Sequence, residues 1–228
     1  MVKKLRTRGE KSELANTVAV IGLGRFGGAL ARELVETGRE VLGIDSDEKR
    51  VQDMAPVLTH VVQTDTTSEE ALRELGVADF DSAVVAIGAD LEASILTAAV
   101  LIQLGVPQVW AKATSESHGR ILKQLGVHHV VFPDNDMGKR VAHMVGGDQL
   151  DYVEIDSGFV MAKTKAVSAF AGKSLEQLGL RREYGIIVVA TSHQDSEYTA
   201  ATPATTIDKG DFLIVAGPKD RIEEFCSL

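Results

Sequence analysis

The 228-residue chain has one cysteine, Cys226, so no internal disulfide braces it and its fold rests on its own core. Positive charge is also scarce: 24 lysines and arginines stand against 33 aspartates and glutamates, a formal charge of −9. A general nucleic-acid binder would show a basic face, so this balance argues against nucleic-acid partners. The only concentrated positive charge is Lys3, Lys4, Arg6, Arg8 and Lys11. No apolar run of signal-peptide length follows it, and residues 1–15 read as a basic disordered tail. A membrane-spanning run is missing too. Nineteen uncharged residues lie between Glu92 and Lys112, close to the ~20 of a spanning helix. Gly105 and Pro107 interrupt them, and Ser94, Thr97, Gln103 and Gln108 add polarity. A buried helix followed by a buried strand explains this run, and a cytoplasmic chain is expected.

Catalytic machinery is the last absence. Residues 151–228 hold one histidine, His193, in a polar stretch, and show no acid–base spacing. His128-His129 is not a metal pair, because adjacent strand side chains face opposite ways. Cys226 reads as a packing residue. The chain is therefore not expected to be an enzyme.

What is present is a repeated joint. Leu75-Gly76-Val77, Leu104-Gly105-Val106 and Leu125-Gly126-Val127 each end a helix-period segment and open an apolar run, and Gly38 does the same before Glu40. Glycine tolerates the left-handed conformation that closes a helix, so these are helix-to-strand joints. The strands they predict are Val18–Leu23, Val41–Asp45, His60–Gln63, Ser82–Ile87, Gln108–Lys112 and His129–Phe132. Apolar on both faces, they belong in a parallel sheet covered by helices. Residues 16–147 thus predict a doubly wound, Rossmann-like α/β domain with a six-stranded parallel sheet. After Gly146-Gly147-Asp148 the pattern changes to strand-like segments and two short helices, Ser174–Leu178 and Lys219–Phe225. Residues 148–228 predict a small α+β domain.

Gly22, Gly24 and Gly27 form G-x-G-x-x-G between a strand and a helix. The first glycine allows the turn, the second lets backbone approach a pyrophosphate, and the third packs helix on strand. The helix N-terminus then offers amides to phosphate. Asp45, with Ser46 after it, ends the second strand eighteen residues past Gly27, where a carboxylate takes ribose hydroxyls and repels a 2′-phosphate. Open α/β sheets bind ligands at the carboxyl ends of their strands, which nominates Asp65, Thr66, Gly88, Asp90, Lys112 and Asp134. Each also has a structural reading: Asp65 and Thr66 as turn formers, Asp90 and Asp134 as N-caps, Lys112 as a solvated strand end. Asp134-Asn135-Asp136 resembles a cation-binding cluster but also sits where the next helix needs a cap. Arg25, inside the loop with Phe26, adds a full charge suited to a terminal phosphate. Its structural reading is an ion pair with Glu36 or Asp47.

Gly22-Leu-Gly-Arg-Phe-Gly, the Asp45 strand, Val84-Val85-Ala86-Ile87-Gly88-Ala89, Pro133-Asp-Asn-Asp-Met-Gly138 and Leu175-x-x-Leu178-x-x-Arg181 with Tyr184-Gly185 resemble the RCK, or KTN, family, above all its Ktr branch. That resemblance implies a regulatory, gating subunit of a potassium transporter. Dimers would assemble into an octameric ring beneath a membrane-embedded, KtrB-like potassium-translocating subunit at the inner face of the cell membrane. ATP or ADP in the N-domain would set the ring's state, with Arg25 on the γ-phosphate and Asp134 near Mg2+ or another divalent cation. Leu180, Arg181 and Arg182 would line a cyclic di-AMP site between two subunits. Two alternatives remain: a regulator of another cation transporter or exchanger, and an NAD(H)-binding oxidoreductase.

Overall fold

The computed structural model describes residues 17–145, 151–156, 158–193 and 196–228. The basic tail and the Gly146-Gly147-Asp148 boundary lie outside them. Contacts divide the chain into two compact units, Met1–Asp134 and Asn135–Leu228.

The first unit alternates strand and helix: β1 (Thr17–Ile21), α1 (Arg25–Glu36), β2 (Glu40–Asp45), α2 (Glu48–Met54), β3 (His60–Gln63), α3 (Glu69–Glu74), β4 (Ser82–Val85), α4 (Leu91–Gln103), β5 (Gln108–Lys112), α5 (Glu116–Gln124) and β6 (His129–Val131), with α6 (Pro133–Val145) starting at its end. The six strands are parallel, in the order β3-β2-β1-β4-β5-β6. The order reverses between β1 and β4, and the crevice there is where such sheets bind ligands. Strand side chains alternate between faces, and both faces are covered. Ala19 and Ile21 of β1 pack into one apolar cluster with Leu42, Val85 and Leu101. Val18 and Val20 pack into another with Ala31, Val41 and Met54.

The joints Gly38, Gly76, Gly105 and Gly126 all have φ between +69° and +89°. Gly76 departs from expectation in one respect: it opens a 3-10 turn, Val77–Asp79, before the chain reaches β4. The nineteen uncharged residues become α4 and β5. Ser94 and Thr97 on α4 are fully buried, so polar side chains sit inside what hydropathy alone would call a membrane run. No helix among the described residues is long and apolar enough to cross a membrane.

The second unit contains the rest of α6, then β7 (Asp151–Asp156), β8 (Phe159–Lys165), β9 (Lys173–Ser174), α7 (Leu175–Leu178), α8 (Leu180–Glu183), β10 (Ile187–His193), β11 (Thr199–Ala200), β12 (Thr206–Ile207), β13 (Asp211–Pro218) and α9 (Lys219–Cys226). Five of its strands form an antiparallel ladder, β11-β10-β13-β8-β7, while β12 pairs with β9, also antiparallel. Val160, Ala162, Leu213 and Val215 from this ladder pack with Ile222 and Phe225 of α9. The contact division falls ahead of the 147/148 boundary because α6 belongs largely to this unit. Arg140 on α6 forks onto Asp151 of β7 with two bonds of 2.7 Å.

Three features here were not anticipated: the one-turn helix α8, the two-residue strands, and the reach of β10 to His193. His193 is therefore on a strand end, with Nδ1 2.6 Å from Asp211 Oδ1. His193, Asp208 and Asp211 bring ligand-type atoms within 4.8 Å of one another. The buried Asp211 carboxylate already accepts from Asp208 N–H at 2.8 Å, so the trio braces the turn into β13. A capping box between Ser174 and Gln177 starts α7.

Candidate functional site

The glycine loop is built by exclusion of side chains. Gly22 turns the chain at φ +92°, and a Cβ there would press on the backbone of Ala86 and Ile87 at 3.0–3.1 Å. A Cβ on Gly27 would collide with the carbonyl oxygen of Gly22 and sit 2.9 Å from Ala86 Cβ. Gly27 therefore lets α1 lie on the loop but does not itself line the cavity. Gly24 is the N-cap of α1 and offers no side chain to cap it. The first helical bond is Gly28 N–H to Gly24 O at 2.7 Å. The amides ahead of it have no helical partner and, with the positive end of the helix dipole, form a place suited to an anion.

This end of α1 opens into a cavity of about 590 Å³ at the carboxyl ends of the strands. Gly22, Gly24, Arg25 and Phe26 line it on the loop side. Asp45 and Ser46 line it after β2, Asp65 and Thr66 after β3, Gly88 and Asp90 after β4, Lys112 at the end of β5, and Asp134 after β6. Of the N-domain residues nominated from sequence, only Gly27 is not at its wall.

The geometry assigns each wall residue a local role. Asp45 is 4% exposed. Its Oδ2 accepts Leu23 N–H at 2.6 Å and its Oδ1 accepts Asp47 N–H at 2.9 Å, which fixes the carboxylate between the glycine loop and the cap of α2. Asp65 accepts both N–H and hydroxyl of Thr67, and these bonds hold its carboxyl below the usual carboxylate range. The buried Thr66 hydroxyl meets that of Thr97 at 2.9 Å. Asp90 is a cap, accepting Ala93 N–H at 2.9 Å, and a wall residue as well; the two readings are compatible.

Lys112 is not a solvated strand end. Its side chain is 13% exposed. The ammonium lies 2.9 Å from Asp134 Oδ2 and 5.6 Å from the centre of the Phe26 ring. Gly88 lies beside it, where a Cβ would only touch Lys112 Nζ at an ordinary 3.7 Å. Asp134 is not an N-cap either. The helix already starts at Pro133, so Asp134, Asn135 and Asp136 fall in its first turn, where acidic side chains complement the helix dipole. A divalent cation held by Asp134 would take the place of the lysine ammonium at that oxygen.

Arg25 is exposed and makes no ion pair among the described residues, neither with Glu36 nor with Asp47. Arg50 takes that place, with Nε 3.9 Å from Asp47 and Nη1 3.3 Å from Asp45 Oδ2. Arg50, Asp47 and Thr114 are wall residues that the sequence reading missed. The signal for Arg50 was available: Asp47 is an N-cap, and a residue three positions into a helix turns back toward the strand end that precedes it. Behind Thr114, His118 is 1% exposed and accepts Thr114 N–H on Nδ1 at 3.3 Å. Burial lowers its pKa, which favours the neutral ring.

The second unit carries a shallower cavity of about 380 Å³, lined by Leu180, Arg181 and Arg182 with Ile187, Val188 and Thr202. Arg182 lies 3.9 Å from Glu183 with both side chains well exposed, so its charge stays accessible.

Comparison with known proteins agrees with both halves. The TrkA-N domain model matches residues 18–133 and the TrkA-C domain model residues 161–228. The Ktr system potassium uptake protein C of Bacillus subtilis (strain 168) is 39% identical over 91% of this chain and 94% of that protein. The Ktr system potassium uptake protein A of Vibrio alginolyticus is 37% identical over 90% of this chain and 93% of its own length. Among solved structures, the GsuK channel aligns at TM-score 0.65 with 18% identity, over 93% of this chain and 39% of that one, a likeness of fold. With an uninterrupted glycine-loop domain, a following antiparallel unit and this identity over nearly the whole length, the chain belongs to the TrkA-N/TrkA-C family of RCK, or KTN, proteins.

Proposed function

We propose that the chain is the regulatory, gating subunit of a Ktr-type potassium-uptake system and binds ATP or ADP in its N-terminal unit. The observation that carries this reading is one cavity holding a helix N-terminus with no side-chain cap, an Arg25 without an ion pair among the described residues, a largely buried Lys112 and a ribose-type carboxylate, Asp45. The loop amides would take the α- and β-phosphates, Asp45 the ribose, and Arg25 with Lys112 the terminal phosphate, where guanidinium forks match phosphate oxygens. Mg2+ arriving with the nucleotide would use Asp134 as a carboxylate ligand, keeping most of its shell from phosphate and water.

The partner in this reading is a membrane-embedded, KtrB-like potassium-translocating subunit, with the chain at the cytoplasmic face and assembled from dimers into an octameric ring. Leu91, Leu96, Trp110 and Ile121 on the first unit, and Val153, Ile155 and Phe159 on the second, are large apolar side chains left exposed. Association of copies would cover them. Leu180, Arg181 and Arg182 form the proposed cyclic di-AMP wall, where two arginines suit a dianionic ligand. NAD(H) is the second reading for the N-domain cavity, because the loop and Asp45 serve any adenosine diphosphate. Arg25 favours a ligand with a free terminal phosphate. Isothermal titration should give binding of ATP and of ADP with no sustained turnover. Hydrolysis or hydride transfer above ~1 per second, or no binding of either nucleotide, would sink the proposal.

A further inference from the structure

Asp45 has more donors than a ribose site can spare. A carboxylate offers about four lone-pair positions. Leu23 N–H and Arg50 Nη1 occupy two on Oδ2, at 2.6 and 3.3 Å, and Asp47 N–H occupies one on Oδ1 at 2.9 Å. One position is left, whereas the two ribose hydroxyls of an adenine nucleotide need two. Something must leave. Leu23 and Asp47 donate from backbone held by the glycine loop and by the cap of α2, so neither is free to go. Arg50 donates from a side chain that is 48% exposed, and its other contact, Asp47 Oδ2, is 3.9 Å from Nε and ready to keep it.

We propose that Arg50 is a latch on the ribose-binding carboxylate. It closes the ribose end of the cavity in the free protein, and a ligand bearing the ribose hydroxyls displaces it toward Asp47. The latch rests on reading the cavity as an adenine-nucleotide site. It makes Arg50 a specificity residue: every ligand that uses Asp45 must release it, and a ligand without ribose hydroxyls need not. Its weight is that of a half-exposed ion pair, so removing it should favour the hydroxyl-bearing ligand by about two- to fivefold.

The test is a titration cycle on the full chain, using wild type, Arg50→Ala and Arg50→Gln, each with ATP and with 2′,3′-dideoxy-ATP. Loss of a positive charge near a polyphosphate weakens both ligands alike, so the readout is the ratio of their affinities. That ratio should rise two- to fivefold in both variants. A ratio that stays constant or falls, while wild type still binds ATP, overturns the latch and leaves the adenine-nucleotide reading standing. A wild type that binds neither ligand overturns both.

Discussion

Asp45→Ala should weaken ATP and ADP by about the same factor, 10- to 150-fold, and should also lower the stability of the free protein. The binding loss follows from two ribose hydroxyls stranded without a charged acceptor, at ~1.5–3 kcal/mol for a charge-assisted bond. The stability loss has a separate origin. Leu23 N–H and Asp47 N–H both end on this 4%-exposed carboxylate, and an orphaned buried amide costs ~1–3 kcal/mol. Asp45→Asn separates the two effects, because one amide oxygen still accepts a backbone N–H while the negative charge is gone. It should regain part of the thermal midpoint and little of the affinity. Titration and thermal unfolding on the three proteins check this. Unchanged affinity for both nucleotides in Asp45→Ala would remove the residue from the site.

Arg25→Ala should behave in the opposite manner, with a selective loss and an intact fold. Arg25 is exposed on the first turn of α1, beside the cavity. It has no ion-pair partner among the described residues, so its removal breaks nothing that holds the unit together. In the proposed nucleotide site its guanidinium would meet a phosphate lying beyond the reach of the loop amides. ATP should lose about 10- to 150-fold, the equivalent of ~1.5–3 kcal/mol, and ADP much less. Lys112 is the natural control. It is mostly buried between Phe26 and Asp134, so Lys112→Met should disturb both ligands. An equal loss of ATP and ADP on Arg25→Ala would make Arg25 a general phosphate anchor and end its role in telling the two apart.

Much of this site was legible because its logic is written in residue types at strand ends. Where the chain breaks its alternation, the sequence was a poorer guide. The reading carried β1 to Leu23, yet the strand stops at Ile21, because Gly22 turns the backbone while Leu23 stays buried in the loop. The same holds for β4, predicted to Ile87 and ending at Val85; Ala86 N–H still reaches Ile21 O at 2.7 Å past the assigned end. Apolar character reports burial, and burial outlasts the ladder. Arg50 is legible only through the Asp47 N-cap that turns the first turn of α2 back to the end of β2, a signal hydrophobic periodicity does not carry. In the second unit, α8 spans four residues and β9, β11 and β12 two each, too short for a hydrophobic period to register. Their positions come from tertiary pairing, such as β12 against β9.

Potassium flux is the most direct measure of the regulatory role. The membrane protein that co-purifies with the chain would be reconstituted in liposomes, with the chain and either ATP or ADP on the cytoplasmic side. Flux should differ several-fold between the two nucleotides, with ATP consumption staying below ~1 per second, and Arg25→Ala should erase the difference. Equal flux with ATP and ADP, or flux that follows ATP hydrolysis, would contradict a subunit that reads the nucleotide as a signal.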